Sequence, residues 1–432
     1  MRRVAVVDSG IAGLAVAHGL ARDAKVTLFE AGDWFGGHAH TVDIELNGVS
    51  HGVDTGFLVY NERTYPNLIR LFAELGVATA ASDMSFSVQA PALGWEWCGS
   101  DLNTVFAQRR NLVSPRFWSM LAAVVRFNRL ATALAQSDAE LDESIGDFLD
   151  RHRFDNAFRD GYFLPMIGCI WSCPTDQMLR FPVATLLRFC HNHGLLQLTK
   201  RPQWHTVRGG SRQYVDKLVA SIADARLATP VRAIVRQPPG SGAAGVMVHT
   251  DHASERFDDV VLATHTDQAL ALLPDASADE CSVLGAIRYQ ANRVLLHTDR
   301  LMLPQRPRAW AAWNYERAAG SGREQAGVCL HYLINRLQPL PWRTPVIVSM
   351  NPQRPIRDAA VLGEWTYTHP VFDRAAVMAQ RVLHLIQGHS NVWFCGAWTR
   401  YGFHEDGLMS GLAVVDGLRA RWARETPRGL AA

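Results

Sequence analysis

The first thirty residues constrain this chain most. Arg3–Val7 is a short apolar run of the kind that forms a buried strand. Ile11–Arg22 has helical spacing, and Val26–Glu30 repeats the strand pattern. Strand, helix and strand at this spacing predict a βαβ unit of a doubly wound α/β sheet. The turn between them reads Val7-Asp8-Ser9-Gly10-Ile11-Ala12-Gly13. In a G-x-G-x-x-G turn the glycines let the chain bend sharply, let backbone approach a pyrophosphate, and let the helix pack on the strand. Gly10 and Gly13 stand at the second and third glycine positions, and Asp8 stands at the first. Ser9, Gly10, Ala12 and Gly13 are therefore expected beside a pyrophosphate at the helix N-terminus. Glu30 and Ala31 close the second strand, where a carboxylate would take ribose hydroxyls. The alternative is a glycine-bearing turn without a ligand, but the order of elements favours a nucleotide.

Asp8 is the departure from that pattern. A carboxylate about 5 Å from a phosphate charge costs about 3 kcal/mol at an effective dielectric near 20. It can avoid this cost by pointing away, by staying protonated, or by pairing with Arg2 or Arg3. A second stretch, Gly240-Ser241-Gly242-Ala243-Ala244-Gly245, fits the glycine pattern letter for letter. It follows Pro238-Pro239 and leads into a strand, so it lacks a helix N-terminus and reads as a hairpin loop.

At 432 residues the chain is too long for one ordinary core, which suggests two interleaved domains. Its formal charge of +2 gives no reason to expect nucleic acid. The seven cysteines (Cys98, Cys169, Cys173, Cys190, Cys281, Cys329, Cys395) are odd in number and lack metal-ligand spacing, which fits free thiols in a reducing, cytoplasmic setting. Met1-Arg2-Arg3 and the apolar run after it imitate a signal peptide, but Asp8, His18, Arg22 and Asp23 interrupt the run. No stretch reaches the ~18 apolar residues of a membrane span. Residues 103–135 and 144–198 have mainly helical spacing, and 290–370 suggests strands broken by the polar loop Ala318–Gly327. Arg226–Val235 and Val246–Thr250 alternate like a hairpin, Asp259–Thr264 and Val392–Phe394 like buried strands, and Leu408–Arg421 like a closing helix.

Further motifs follow in a fixed order. Gly36-Gly37-His38 comes after the second strand, then Asp54-Thr55-Gly56-Phe57. Later come Val207-Arg208-Gly209-Gly210-Ser211, Thr229-Pro230-Val231-Arg232, and Cys395-Gly396-Ala397-Trp398 with Asp406-Gly407-Leu408-Met409-Ser410-Gly411. In this order the run resembles the flavin amine oxidase and phytoene desaturase superfamily, over almost the whole chain. His191-Asn192-His193-Gly194, Pro202-Gln203-Trp204 and Tyr401-Gly402-Phe403-His404-Glu405 are similar to a bacterial branch of predicted NAD/FAD-binding proteins. Members of that branch are often encoded beside cyclopropane-fatty-acid-synthase-like methyltransferases.

The resemblance implies FAD as cofactor. It implies an FAD domain built from 1–80, 203–268 and 388–428, interleaved with a mixed α+β substrate domain of 81–202 and 269–387. Gly36, Gly37, His38, Gly56, Phe57, Val231, Ala263, Gly396 and Ala397 are then expected on the cofactor. Asp406, Gly407 and Leu408 would meet it through backbone at the start of a helix near Leu408. Tyr401, His404 and Glu405, just before that helix, are the expected proton-transfer residues. Many amine oxidases of the superfamily carry a lysine beside the flavin. Lys25, Lys200 and Lys217 are the only lysines here, and none stands at that place. The pairs His38/His40 and His191/His193 have no acid or cysteine set to complete a metal site, so no metal is expected. His191 and Asn192 are candidates to reach the substrate.

Between Asn103 and Leu134 there is no acidic residue, and Arg109, Arg110, Arg116, Arg126 and Arg129 alternate with aromatic residues. Such a segment can rest on an anionic membrane surface, or can be a helix with a solvated basic face. The leading expectation is an FAD-dependent oxidoreductase, desaturase or isomerase. Its substrate would be a lipid acyl chain, unsaturated, methyl-branched or cyclopropane, with peripheral membrane contact through 103–134. The alternatives are an oxidase of an amine or small metabolite, and a non-catalytic scaffold or lipid-binding partner of a methyltransferase.

Overall fold

The computed structural model describes residues 1–137, 143–171, 174–197, 201–237, 245–317 and 327–425. Strand β1 (Arg3–Val7) lies at the centre of a five-stranded parallel sheet, followed by helix α1 (Ile11–Leu20) and strand β2 (Lys25–Phe29). The sheet order is Asp224–Arg226, β2, β1, Asp259–Leu262, Val392–Phe394. Val4, Ala5 and Val6 are fully buried, as a parallel strand covered on both faces requires. Every strand of this sheet comes from 1–80, 203–268 or 388–428.

A second, seven-stranded sheet uses only residues from 81–202 and 269–387. Its order is Val361–Val371, Arg288–His297, Ile347–Met350, Cys329–Leu333, Trp313–Glu316, Phe86–Ala90, Trp95–Cys98. All neighbours are antiparallel except Phe86–Ala90 beside Trp313–Glu316. Three further helices matter for the site: α2 (Pro66–Leu75), α3 (Pro115–Ala135) and α4 (His404–Glu425). Helix α3 buries Phe117, Met120 and Phe127 in the same core as Leu330 and Val348 of the large sheet.

Several expectations need correcting. The hairpin does not begin at Arg226. Asp224–Arg226 is the edge of the parallel sheet, and the antiparallel strands begin at Val231. Between them Ala228 takes a left-handed φ of 48°, and the amides of Ala228 and Thr229 donate to the carbonyls of Gly32 and Glu30 at 2.9 and 2.7 Å. That bend ends one strand and starts the next. The loop stretches 238–244 and 318–326 lie outside the described residues. Segment 103–135 is mainly helical, as its spacing suggests, in three pieces: a short helix Leu102–Val105, a 3₁₀ turn Arg109–Val113 and α3, which Ser114 caps through the Phe117 amide.

Helix α4 starts at His404, not near Leu408, because Asp406 accepts the Phe403 amide at 3.0 Å and stabilises an earlier first turn. The Gly407 amide is consequently spent on the Phe403 carbonyl at 3.1 Å. Glu405 is also placed differently from expectation. It is buried, and its two oxygens take the Asn67 amide at 2.9 Å, the Asn67 side chain at 2.7 Å and the Leu68 amide at 3.0 Å. These are orphan donors at the start of α2, whose own cap residue Tyr65 provides no side-chain acceptor. Among the described residues no helix is long and apolar enough to cross a membrane.

Glu405 therefore caps a helix from across the fold. Glu405→Ala should lower thermal stability by about 1–3 kcal/mol and leave the rate of flavin reduction nearly unchanged. A variant that is stable but slow in reduction would return Glu405 to the chemistry.

Candidate active site

One cavity of about 740 Å³ opens at the carboxyl ends of the parallel strands, where open α/β sheets place their ligands. One part of its wall is a backbone strip from four loops: Gly10 to Ala12, Gly36 to His38, Ala263 to His265, and Gly396 to Trp398. Gly56, Phe57, Tyr401 and His404 continue it. Helix α1 has no side-chain cap at Gly10, so its first amides and positive dipole end face this strip. The strip is flat because side chains do not fit there. A Cβ on Gly56 would lie 2.3 Å from the His38 carbonyl oxygen, and one on Gly37 3.2 Å from the Gly10 Cα. Gly36 has φ 112° and would press on the Ala39 carbonyl at 2.7 Å. An uncapped helix N-terminus joined to an extended glycine wall fits the pyrophosphate and extended chain of FAD.

The remaining residues singled out in the sequence stand behind this wall rather than on it. A Cβ on Gly13 would meet the Asp8 carbonyl at 2.0 Å, so Gly13 serves helix–strand packing. Glu30 directs its carboxylate at the Ser9 amide (3.0 Å), the Ser9 hydroxyl and the Gly32 amide (2.8 Å). The Ser9 hydroxyl also takes the Gly36 amide at 3.1 Å. Glu30 and Ser9 thus fasten the two loops together. Ala31, Val231, Glu405, Asp406, Gly407 and Leu408 are likewise absent from the cavity wall. Burial pushes the Asp406 carboxyl up to about 6. His193 lines the cavity, whereas His191 and Asn192 do not.

Five histidines on the wall, His38, His193, His265, His369 and His404, come from five distant segments, so no local pattern marks them as a group. Burial holds each below its ordinary range, to about 3 for His404 and about 4 for His369. They are neutral imidazoles at physiological pH. His404 stacks on Phe57 at 3.9 Å between ring centres and shares a 2.6 Å hydrogen bond with the Tyr214 hydroxyl. His369 meets Asn292 at 3.1 Å, and His265 meets Thr368 at 3.2 Å. The His38 Nε2, Trp398 Nε1 and Trp313 Nε1 atoms are buried on this wall without a protein partner. Beyond the strip the cavity is aromatic, with Trp97, Tyr162, Trp171, Phe189, Tyr332 and Phe403 among its walls. No lysine is on the wall among the described residues.

A separate polar cluster, Glu316, Cys329 and His331, is buried in the large sheet. Arg354 clamps both Glu316 oxygens at 2.8 and 2.9 Å, and His331 shares a 2.6 Å bond with Ser349. The carboxylate charge is already paired, so the cluster is a satisfied network.

Asp8 lies on the cavity wall with φ 83°, and its Oδ1 accepts the Gly10 amide at 2.7 Å. Arg2 is paired with Glu425 at 2.6 Å and Arg3 with Glu255 at 3.0 Å, so neither neutralises it. Burial, with Glu30 next in importance, pushes its carboxyl up to about 7. A carboxyl raised in the folded state contributes stability that is present at low pH and lost as pH rises through about 7. A phosphate beside it can only raise it further. FAD should therefore bind the wild type about tenfold more weakly near pH 8.5 than near pH 6, with proton uptake. Asp8→Gly, which also suits the positive φ, should tighten binding and flatten this dependence. Titrating apoprotein with FAD at both pH values checks this, and weaker binding by the glycine form would make Asp8 a working part of the site.

The comparisons with known proteins agree with this geometry. The family model for flavin containing amine oxidoreductase matches residues 11–300. No curated protein sequence matches the chain. Among solved structures, a CLA-producing fatty acid isomerase from P. acnes is 17% identical, with a TM-score of 0.67 and coverage of 97% of this chain and 98% of that one. Cyclohexylamine oxidase from Brevibacterium oxydans is 15% identical, with a TM-score of 0.69 over 98% and 100% of the two chains. A putative protoporphyrinogen oxidase from Exiguobacterium is 18% identical, with a TM-score of 0.66 over 97% and 99%. At these identities the likeness shows the fold, and the family model covers well over half of the sequence. The uncapped α1 terminus, the glycine wall and the matched pattern together place this chain in the flavin-containing amine oxidoreductase family, as an FAD-dependent oxidoreductase.

Proposed function

We propose that the enzyme moves a hydride between an apolar acyl chain and its flavin, as a desaturase, oxidase or double-bond isomerase. The observation that carries this reading is the chemistry of the cavity wall. Among the described residues, its aromatic part offers no free carboxylate to hold an ammonium group. Asp83 is on the wall but is paired with Arg336 at 3.1 Å and takes the Ser85 amide and hydroxyl. The histidines are neutral, so they neither attract nor repel a charged substrate. When bound, FAD supplies the hydride-accepting ring. The protein's own part is to exclude water with the aromatic walls, to fix the Phe57–His404 stack, and to leave His38 Nε2 free for a hydrogen bond. One solved relative is named as a fatty acid isomerase, which supports the substrate class. Relatives named as cyclohexylamine and putrescine oxidases support amine oxidation as the second reading.

The same reading includes peripheral contact with a bilayer through 103–134. Leu102 and Val113 are 77% and 83% exposed, and Leu112 and Trp118 are also exposed. Arg109, Arg110 and Arg116 are exposed on the same segment. Gly99 and Ser100, just before Leu102, line the cavity.

Two measurements test this. Under anaerobic conditions, unsaturated long-chain acyl compounds should bleach the flavin or emerge with a shifted double bond by mass spectrometry, and primary amines should do neither. Bleaching by amines alone would favour the second reading, and a colourless purified protein would favour a scaffold. Replacing Arg109, Arg110 and Arg116 with glutamine should weaken sedimentation with anionic vesicles and spare flavin content, each basic residue contributing about 1 kcal/mol. A wild type that never sediments with such vesicles would remove the membrane contact.

A further inference from the structure

Among the described residues, three with formal charge, histidines aside, line the cavity: Asp8, Asp83 and Arg201. Asp8 belongs to the glycine strip, and Asp83 is already paired with Arg336. Arg201 is different. It is exposed at the rim, its Nε donates to the Gln197 carbonyl at 2.8 Å, and it forms no ion pair with any described residue. The terminal nitrogens of its guanidinium fork have no hydrogen bond to any described residue. The rim around it is well fixed. Gly194 has φ 69°, and a Cβ there would lie 2.7 Å from the Pro202 ring, so the two segments are in contact. Gln203 is tied to the carbonyls of Ser82 and Trp204 at 3.2 and 2.7 Å. Tyr162, Phe189 and Trp204 continue the wall inward from this rim.

We propose that Arg201 is the head-group anchor of this cavity and that the substrate is an amphiphile with an anionic head and a long apolar tail. This rests on the acyl-chain reading above and narrows it. A planar guanidinium binds a carboxylate or phosphate through two parallel hydrogen bonds. With the head held at the rim, the tail enters the aromatic chamber. The distance from the head then selects which carbon reaches the flavin end. The charge-assisted pair contributes to affinity and fixes which end of the molecule stays at the rim. A substrate with an ammonium head would meet like charge at the rim. The anionic head has two sources: the carboxylate of a free fatty acid, or the phosphate of a phospholipid.

The test uses the holoenzyme, Arg201→Gln and Arg201→Lys with three probes: oleic acid, methyl oleate, and dioleoyl phosphatidylglycerol in mixed micelles. Binding is read from the perturbed flavin spectrum, and turnover is split into KM and kcat. The expected result is that Arg201→Gln raises the dissociation constant and KM for the free acid by about tenfold, with kcat little changed. The lysine variant should recover part of the loss, and the methyl ester should bind weakly to all three proteins. If the loss appears for the phospholipid and not for the acid, the anchor stands and the head is a phosphate. If acid and ester bind equally and Arg201→Gln alters neither, the anchor is overturned while the acyl reading survives. If none of the probes perturbs the flavin, the acyl reading falls and the anchor falls with it.

Discussion

The rest of the structure depends on the close seating of α1 against the turn before it. There is no room for even one carbon on Gly13, which would lie 2.0 Å from the Asp8 carbonyl. This contact holds the uncapped end of α1 at the centre of the sheet's carboxyl edge, where four loops converge. Helix α4 in turn sits on α1 through Gly411, whose Cβ would lie 2.5 Å from the Ala12 carbonyl oxygen. Small residues therefore bring the two helices together and carry the C-terminal loop, with Trp398, Tyr401 and His404, to the cavity.

Within that frame the charges are arranged so that the chamber stays neutral. Glu30, Glu405 and the Glu316 cluster spend their carboxylates on backbone amides or on arginine. The wall histidines remain uncharged because burial disfavours their protonated forms. What is left is an apolar chamber with hydrogen-bonding groups near the glycine strip and Arg201 at the rim, which forms no ion pair with any described residue.

Asp8 shows how a departure from a motif can be absorbed. Its backbone adopts the left-handed angle that glycine would take, and its side chain closes a short turn onto Gly10. The turn survives with aspartate at the first position. Burial pushes that carboxyl toward its protonated form, and the nearby arginines are engaged elsewhere.

The sequence by itself determined the βαβ opening, the cofactor class, the segments that supply the two large sheets and, in Gly10, Gly37, Gly56, Ala263 and Gly396, much of the backbone strip on the cavity wall. These are local signals: a burial period, a glycine needed for close approach, a fixed order of short motifs. Only the tertiary structure shows what Glu405 and Glu30 are bonded to. Glu405 meets Asn67 across 338 residues of chain, and no periodicity records such a contact. The start of α4 likewise depended on the Asp406 cap rather than on apolar spacing. The histidine group exists only once distant loops share one wall, because burial is a property of the folded surroundings and not of the residue.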